Sequence, residues 1–167
     1  MAVDATQPYD DQNVFAKILR GEIPNRTVYE DDFALAFHDI NPQAPTHVLV
    51  IPKGAYVCWD DFSAKASDAE IAGFVRAVGK VARDLGLVAP GYRLLANTGT
   101  NSHQEVPHLH VHLFAGQPLG PALQQPGDHP VELGIGVGQA RQVALVDDGG
   151  GKPGLGEDHD ARRRLDQ

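Results

Sequence analysis

One cysteine, one methionine and one tryptophan are all that 167 residues hold of these three types. The lone thiol, Cys58, excludes an intramolecular disulfide and any multi-thiolate metal cluster, and it fits a reducing compartment. No apolar run approaches the roughly 18 residues of a membrane helix. The first residues, MAVDATQPYDDQN, lack a basic region followed by an apolar one. A cytoplasmic protein with no membrane partner is therefore expected. Basic charge is also scarce: 14 Lys and Arg face 22 Asp and Glu, a formal net charge of -8. That balance argues against a nucleic acid partner and leaves room for a small anionic ligand held by a few local donors. Aromatic residues are missing after Phe114, whereas residues 115–167 carry 11 of the 18 glycines. Such a segment has little apolar surface with which to offset its ordering entropy.

What remains suits one globular domain: 42% hydrophobic and 22% charged residues. The expected organisation is an N-terminal extension over 1–12, a folded domain over 13–120, and a Gly/Pro-rich, partly mobile extension over 121–167. RQVALV (141–146) is a candidate strand within the last of these. Val14, Phe15, Ile18 and Leu19 make the stripe of a short helix over 11–20, with Asp11 or Asn13 as cap and Gly21 as stop. TVYE (27–30) and FALAFHD (33–39) read as a hairpin, and THVLVIP (46–52), apolar on both parities, as a central strand. Ser67 and Glu70 form a capping box ahead of Ile71, Phe74, Val75, Val78, Val81, Ala82 and Leu85, with Gly86 to end the helix. YRLLAN (92–97) and PHLHVHLF (107–114) predict two more strands, with Pro107 at the first position of the second. Because strands and helices do not alternate one for one, the fold class is α+β: an antiparallel sheet of about five strands with one long and one short helix.

The chemistry concentrates in QEVPHLHVHLF (104–114). On a strand, His108, His110 and His112 share one face while Leu109, Val111 and Leu113 take the other. Three readings compete. The imidazoles are satisfied structurally; or two of them bind zinc together with His47 or an acid; or one is a nucleophile whose neighbours hold charge.

HLHVHLF resembles the motif that names the histidine triad (HIT) family. FAKILRGEIPNRTVYEDDFALAFHDINPQAPTHVLVIPK (15–53), DLGL (84–87) and GYRLLAN (91–97) match the order and spacing of its Hint branch, the purine nucleoside phosphoramidases. The resemblance covers about residues 13–120. It implies a dimeric HIT-like fold and cleavage of a P–N bond between AMP or GMP and an amine, through a nucleotidyl-histidine intermediate, with no cofactor and no metal. It makes His110 the nucleophile, places His112 and Asn97 on phosphate, and gives His108 and His47 the task of orienting the triad. Asp39 would accept from the ribose hydroxyls, and Phe15, Ile18, Phe37 and Ile40 would line the base slot. The partners implied are a purine nucleotide conjugate and a second copy of the chain.

Three places depart from the family pattern, two of them in the loop before the triad. Where a Ser donates to phosphate, this chain has Glu105, whose carboxylate cannot donate. Glu105 is expected to turn outward and offer only its backbone N–H. A Gly-Gly ahead of it is replaced by Ser102 and His103, which puts in question a loop geometry that glycine permits. The Arg common after the triad is Gln117. A dinucleoside polyphosphate hydrolase of the Fhit type is the alternative enzyme, and a nucleotide- or zinc-binding module the alternative without catalysis.

Overall fold

A computed structural model of the chain describes residues 3–122. The strand at 141–146 and the mobile extension expected from the sequence lie outside these residues. A short helix, α1 (Val14–Leu19), opens the domain. It begins at Asn13, not Asp11: the Asn13 side-chain oxygen accepts from the N–H groups of Phe15 and Ala16, both at 2.9 Å. The hairpin of β1 (Thr27–Glu30) and β2 (Ala34–His38) follows, then β3 (Thr46–Pro52). The long helix α3 (Asp68–Asp84) starts at the Ser67–Glu70 capping box and stops before Gly86, whose φ of +69° is the left-handed conformation that costs glycine least. Strands β4 (Arg93–Leu95) and β5 (Val111–Ala115) complete one antiparallel sheet in the order β1-β2-β3-β5-β4, so β3 is central as its two-sided apolarity predicts.

Three expectations need correction. A second short helix, α2 (Trp59–Lys65), went unread because WDDFSAK buries only Phe62 and so carries no periodic stripe. Its signal lies in its start, where the Asp61 carboxylate accepts from the N–H groups of Val57 and Cys58 at 2.9 and 2.8 Å. Of the apolar stripe, Val75 on α3 and Leu85 at its C-cap are exposed, whereas Ala77, outside the stripe, is buried: the face that meets the sheet is centred on Phe74, Ala77, Val78 and Val81. Finally, the strand read from 107 begins at Val111, opposite Val50, and the strand read over 92–97 keeps only 93–95. β3 ends at Pro52, which has no N–H to continue the ladder. Beyond that point the Leu109 N–H turns to Tyr56 O (2.7 Å). Pro107 therefore sits in the turn ahead of the strand, not at its first position.

Side-chain alternation sorts the core into two layers. Ala34, Ala36, Val48, Val50, Leu109, Val111 and Leu113 pack with Phe62 of α2 and with Phe74, Ala77, Val78 and Val81 of α3. Gly73 of α3 belongs to this layer for want of space: a Cβ there would fall 2.2 Å from the Phe33 ring. On the other face Leu35, Phe37, Leu49 and Ile51 pack with Phe15 and Ile18 of α1. The alternation runs on through the irregular residues before β5, so the imidazoles fall on the α1 face although two of the three precede the strand. Among the described residues no helix is long and apolar enough to cross a membrane.

Candidate active site

A cleft of about 820 Å³ opens on the α1 face. Phe15, Ile18, Ile23, Phe37, Leu49 and Val106 supply its apolar wall, and Asp39 and Glu105 its two carboxylates. The volume and the mostly apolar lining suit a ligand the size of a nucleotide. Phe15 and Phe37 meet edge to face with centroids 5.6 Å apart, one wall from α1 and one from β2. Ile40 also borders the cleft, but it is 92% exposed, so it forms a rim where the sequence suggested a slot wall. The loop after β2 holds it outside the sheet.

His47, His108, His110 and His112 stand behind this cleft and not in its lining, joined to it through Phe15 and Asp39. The Phe15 ring is 5.2 Å from that of His110, and His110 is 5.0 Å from His112. Asp39 Oδ2 lies 3.5 Å from His47 Nε2. Hydrogen bonds to groups of fixed polarity set the tautomers. A carbonyl can only accept, so the 2.7 Å contact between His110 Nδ1 and His108 O is an N–H donation, and His110 Nε2 keeps its lone pair. His108 likewise donates from Nε2 to Pro52 O (2.9 Å), leaving Nδ1 to accept from the Tyr9 hydroxyl at 2.6 Å. The Gln43 N–H donates to His47 Nδ1 (3.2 Å). His47 Nε2–H then donates to His112 Nδ1 (2.9 Å), which puts the proton of His112 on Nε2. The outcome is one imidazole with a free lone pair and a neighbour with a free N–H.

Burial keeps the cluster neutral. It pushes His108 and His112 down to about 4, with the mutual repulsion of the histidines adding to the effect, and it lowers His110 against the pull of the His108 carbonyl. His47 is lowered by burial too, in part offset by Asp39. Asp39 itself is oriented by the Asn41 N–H, which donates to Oδ1 at 2.7 Å. Ligand atoms of Asp39, His47 and His112 all lie within 4.8 Å of one another, a donor set of two imidazoles and a carboxylate.

The loop before the triad answers the two departures it contains. Glu105 is solvent-exposed at the cleft's edge, where the sequence suggested that it turns away: its side chain is 75% exposed and its carboxylate lies 3.3 Å from His103 Nε2, yet it still lines the cleft. His103 takes φ +59° and ψ +44°, so the left-handed turn that glycine permits is made here by histidine, one of the residue types that tolerate it best. Ser102 holds the loop closed, accepting from the Thr98 N–H at 2.8 Å and donating to Thr98 O at 2.6 Å. Gln104, fully buried, accepts from the Gly99 N–H and donates to Val57 O and Val106 O. Neither Gln104 nor Tyr9 is visible as a site residue in the sequence, where each looks like an ordinary loop polar group. Asn97 is half-buried just beyond β4 and outside the cleft lining.

A second groove, of about 680 Å³, lies between α3 and the edge strand β4, with Trp59, Val75, Tyr92 and Leu94 exposed along it. It contains no histidine or carboxylate.

The model of the HIT domain family matches residues 20–119. A HIT-like protein of Azospirillum brasilense is 68% identical over 115 residues, 69% of this chain and 94% of the relative. The purine nucleoside phosphoramidase of Escherichia coli K12 is 44% identical over 117 residues, 70% of this chain and 98% of the relative. Among solved structures, a HIT family hydrolase from Legionella pneumophila superposes with a TM-score of 0.57 at 42% identity, covering 63% of this chain and 93% of the other.

Proposed function

This chain belongs to the HIT domain family, and from that premise we propose that it is a nucleotide hydrolase that cleaves the P–N bond of purine nucleoside 5'-phosphoramidates. The observation that carries the reading is the fixed tautomer of His110: Nδ1–H is spent on the His108 carbonyl, so Nε2 is an unprotonated nucleophile in a site whose burial keeps it so. With the bridging nitrogen of the substrate already protonated, His110 Nε2 attacks phosphorus, the P–N bond breaks and the amine departs neutral, leaving the nucleoside monophosphate on His110. Water then attacks phosphorus, releasing the monophosphate and restoring the imidazole. The Nε2–H of His112 stabilises the charge gathered on the phosphoryl oxygens, as does Asn97 and the backbone N–H of Glu105. His108 and His47 hold the two working imidazoles in their tautomers. Asp39, anchored by Asn41, accepts from the vicinal ribose hydroxyls, and the purine lies between Phe15, Ile18 and Phe37 with Ile40 at the rim.

The similarity to the E. coli phosphoramidase favours a P–N bond over the P–O–P bond of a dinucleoside polyphosphate. Incubation with an AMP–amine conjugate and with diadenosine polyphosphate checks this: the conjugate should turn over faster, and the reverse order overturns the assignment. Mass spectrometry of the acid-labile adduct should find the nucleotide on His110; an adduct elsewhere rejects the nucleophile. Removal of the 2'-hydroxyl should weaken kcat/KM roughly tenfold or more, since one Asp39 hydrogen bond is lost.

A zinc-binding reading has one specific support, the convergence of Asp39, His47 and His112. Zinc there would have to displace the proton shared by His47 and His112. Stoichiometric zinc retained after dialysis, lost in His47→Ala, would favour it. The exposed apolar groove beside α3 supports association of two copies, as in the branch the chain resembles. A monomer mass by light scattering would count against that.

A further inference from the structure

The segment ahead of α1 looks in the sequence like an appendage, yet residues 3–9 lie against the loop that leads into the triad. The Val3 N–H donates to Gln104 O at 2.9 Å, and Thr100 Oγ1 donates to Val3 O at 3.5 Å. Val3 is buried with Val57 and Cys58, and Ala5 and Tyr9 pack against that cluster. The strap ends at Tyr9, whose ring meets His108 edge on at 5.5 Å and whose hydroxyl lies 2.6 Å from His108 Nδ1.

From this geometry we infer that Tyr9 is a positioning residue for His110, acting through His108. The Tyr9 hydroxyl donates to Nδ1, His108 Nε2–H donates to Pro52 O, and the carbonyl of the same residue 108 accepts from His110 Nδ1–H. His108 is fully buried, so without the hydroxyl its Nδ1 lone pair has no solvent to turn to. The ring is then clamped on one side only, and the carbonyl that sets the His110 tautomer and aim is freed to shift with it. A displacement well under an ångström at such a second layer is enough to misdirect an attacking atom. Burial raises the Tyr9 hydroxyl above its ordinary range, so it stays protonated and remains a donor. Tyr9 does not touch the reacting atoms, and its role rests on the reading of His110 as nucleophile.

Tyr9→Phe in the full chain removes the hydroxyl and keeps the ring. With an AMP–amine conjugate, kcat should fall about tenfold while KM stays within about twofold. In ¹⁵N NMR, wild-type His108 should be protonated on Nε2 with Nδ1 hydrogen-bonded, and in Tyr9→Phe the His108 Nδ1 resonance should move while those of His47 stay in place. A lower melting temperature with unchanged kcat and unchanged His108 signals would assign the residue to packing alone and overturn the inference. So would a wild-type His108 protonated on Nδ1, a result that does not depend on the variant folding. If the wild-type protein turns over no phosphoramidate, the proposed function fails, and the NMR comparison still judges the Tyr9–His108 link by itself.

Discussion

The two faces of the sheet are written by the same alternation and built to opposite ends. Beneath α3, Leu109, Val111 and Leu113 join a purely apolar layer with Phe62 and Phe74. One residue along in each case, His108, His110 and His112 join the face of α1, where every imidazole must find a partner. The apolar face tolerates no gap because buried atoms there have only dispersion and desolvation to hold them. On the imidazole face carbonyls, an amide group and a hydroxyl of fixed polarity pair the ring nitrogens so that, among the described residues, only Nε2 of His110 and Nε2 of His112 stay free. On the proposed function, the chemistry belongs to the α1 face, which shares the burial of apolar side chains with the larger layer beneath α3.

Substitutions can test that division. The largest effect should come from His110→Ala, with at least about a thousandfold loss of kcat on an AMP–amine conjugate and little change in melting temperature. Loss of folding along with activity would show that the two faces are not separable. Phe74→Ala, in the apolar layer, should do the reverse: about 3–5 kcal/mol of destabilisation in a denaturant titration, with kcat per folded molecule close to wild type. Acid should reach the imidazole face first. His108 and His112 titrate near 4 when folded and near 6.5 when unfolded, so between these values the unfolded chain binds more protons than the folded one. Their contribution to stability is thus fully present above about pH 6.5 and drains away as pH falls towards 4. Because His110 is also depressed, kcat/KM should hold steady below its ordinary value before falling, whereas a midpoint above 6.5 would show that burial does not govern it. The smallest effect belongs to the loop between the faces. His103→Gly should stabilise by about 1 kcal/mol, since glycine meets a φ of +59° without the Cβ clash. Unchanged or lower stability would mean that the contact with Glu105 outweighs the backbone strain.

Much of this was legible from residue order. The capping box of α3, the two-sided apolarity of β3 and the alternation through the triad are local patterns, and each appears where expected. The second short helix was not, because one buried side chain makes no periodicity. Nor were Gln104 and Tyr9, whose contacts span 47 and 99 residues of chain. Their importance depends on what lies opposite, and no spacing rule encodes that.

The sequence by itself determined which face of the sheet each histidine takes, since the two-residue period of an extended chain leaves no other choice once the leucines and valine between them are buried. Only the tertiary structure decided the tautomers of His108, of His47 and, through His47, of His112. That assignment depends on a carbonyl from β3, a backbone N–H from the loop before it and a hydroxyl from the N-terminal strap, groups brought within hydrogen-bonding distance by folding alone.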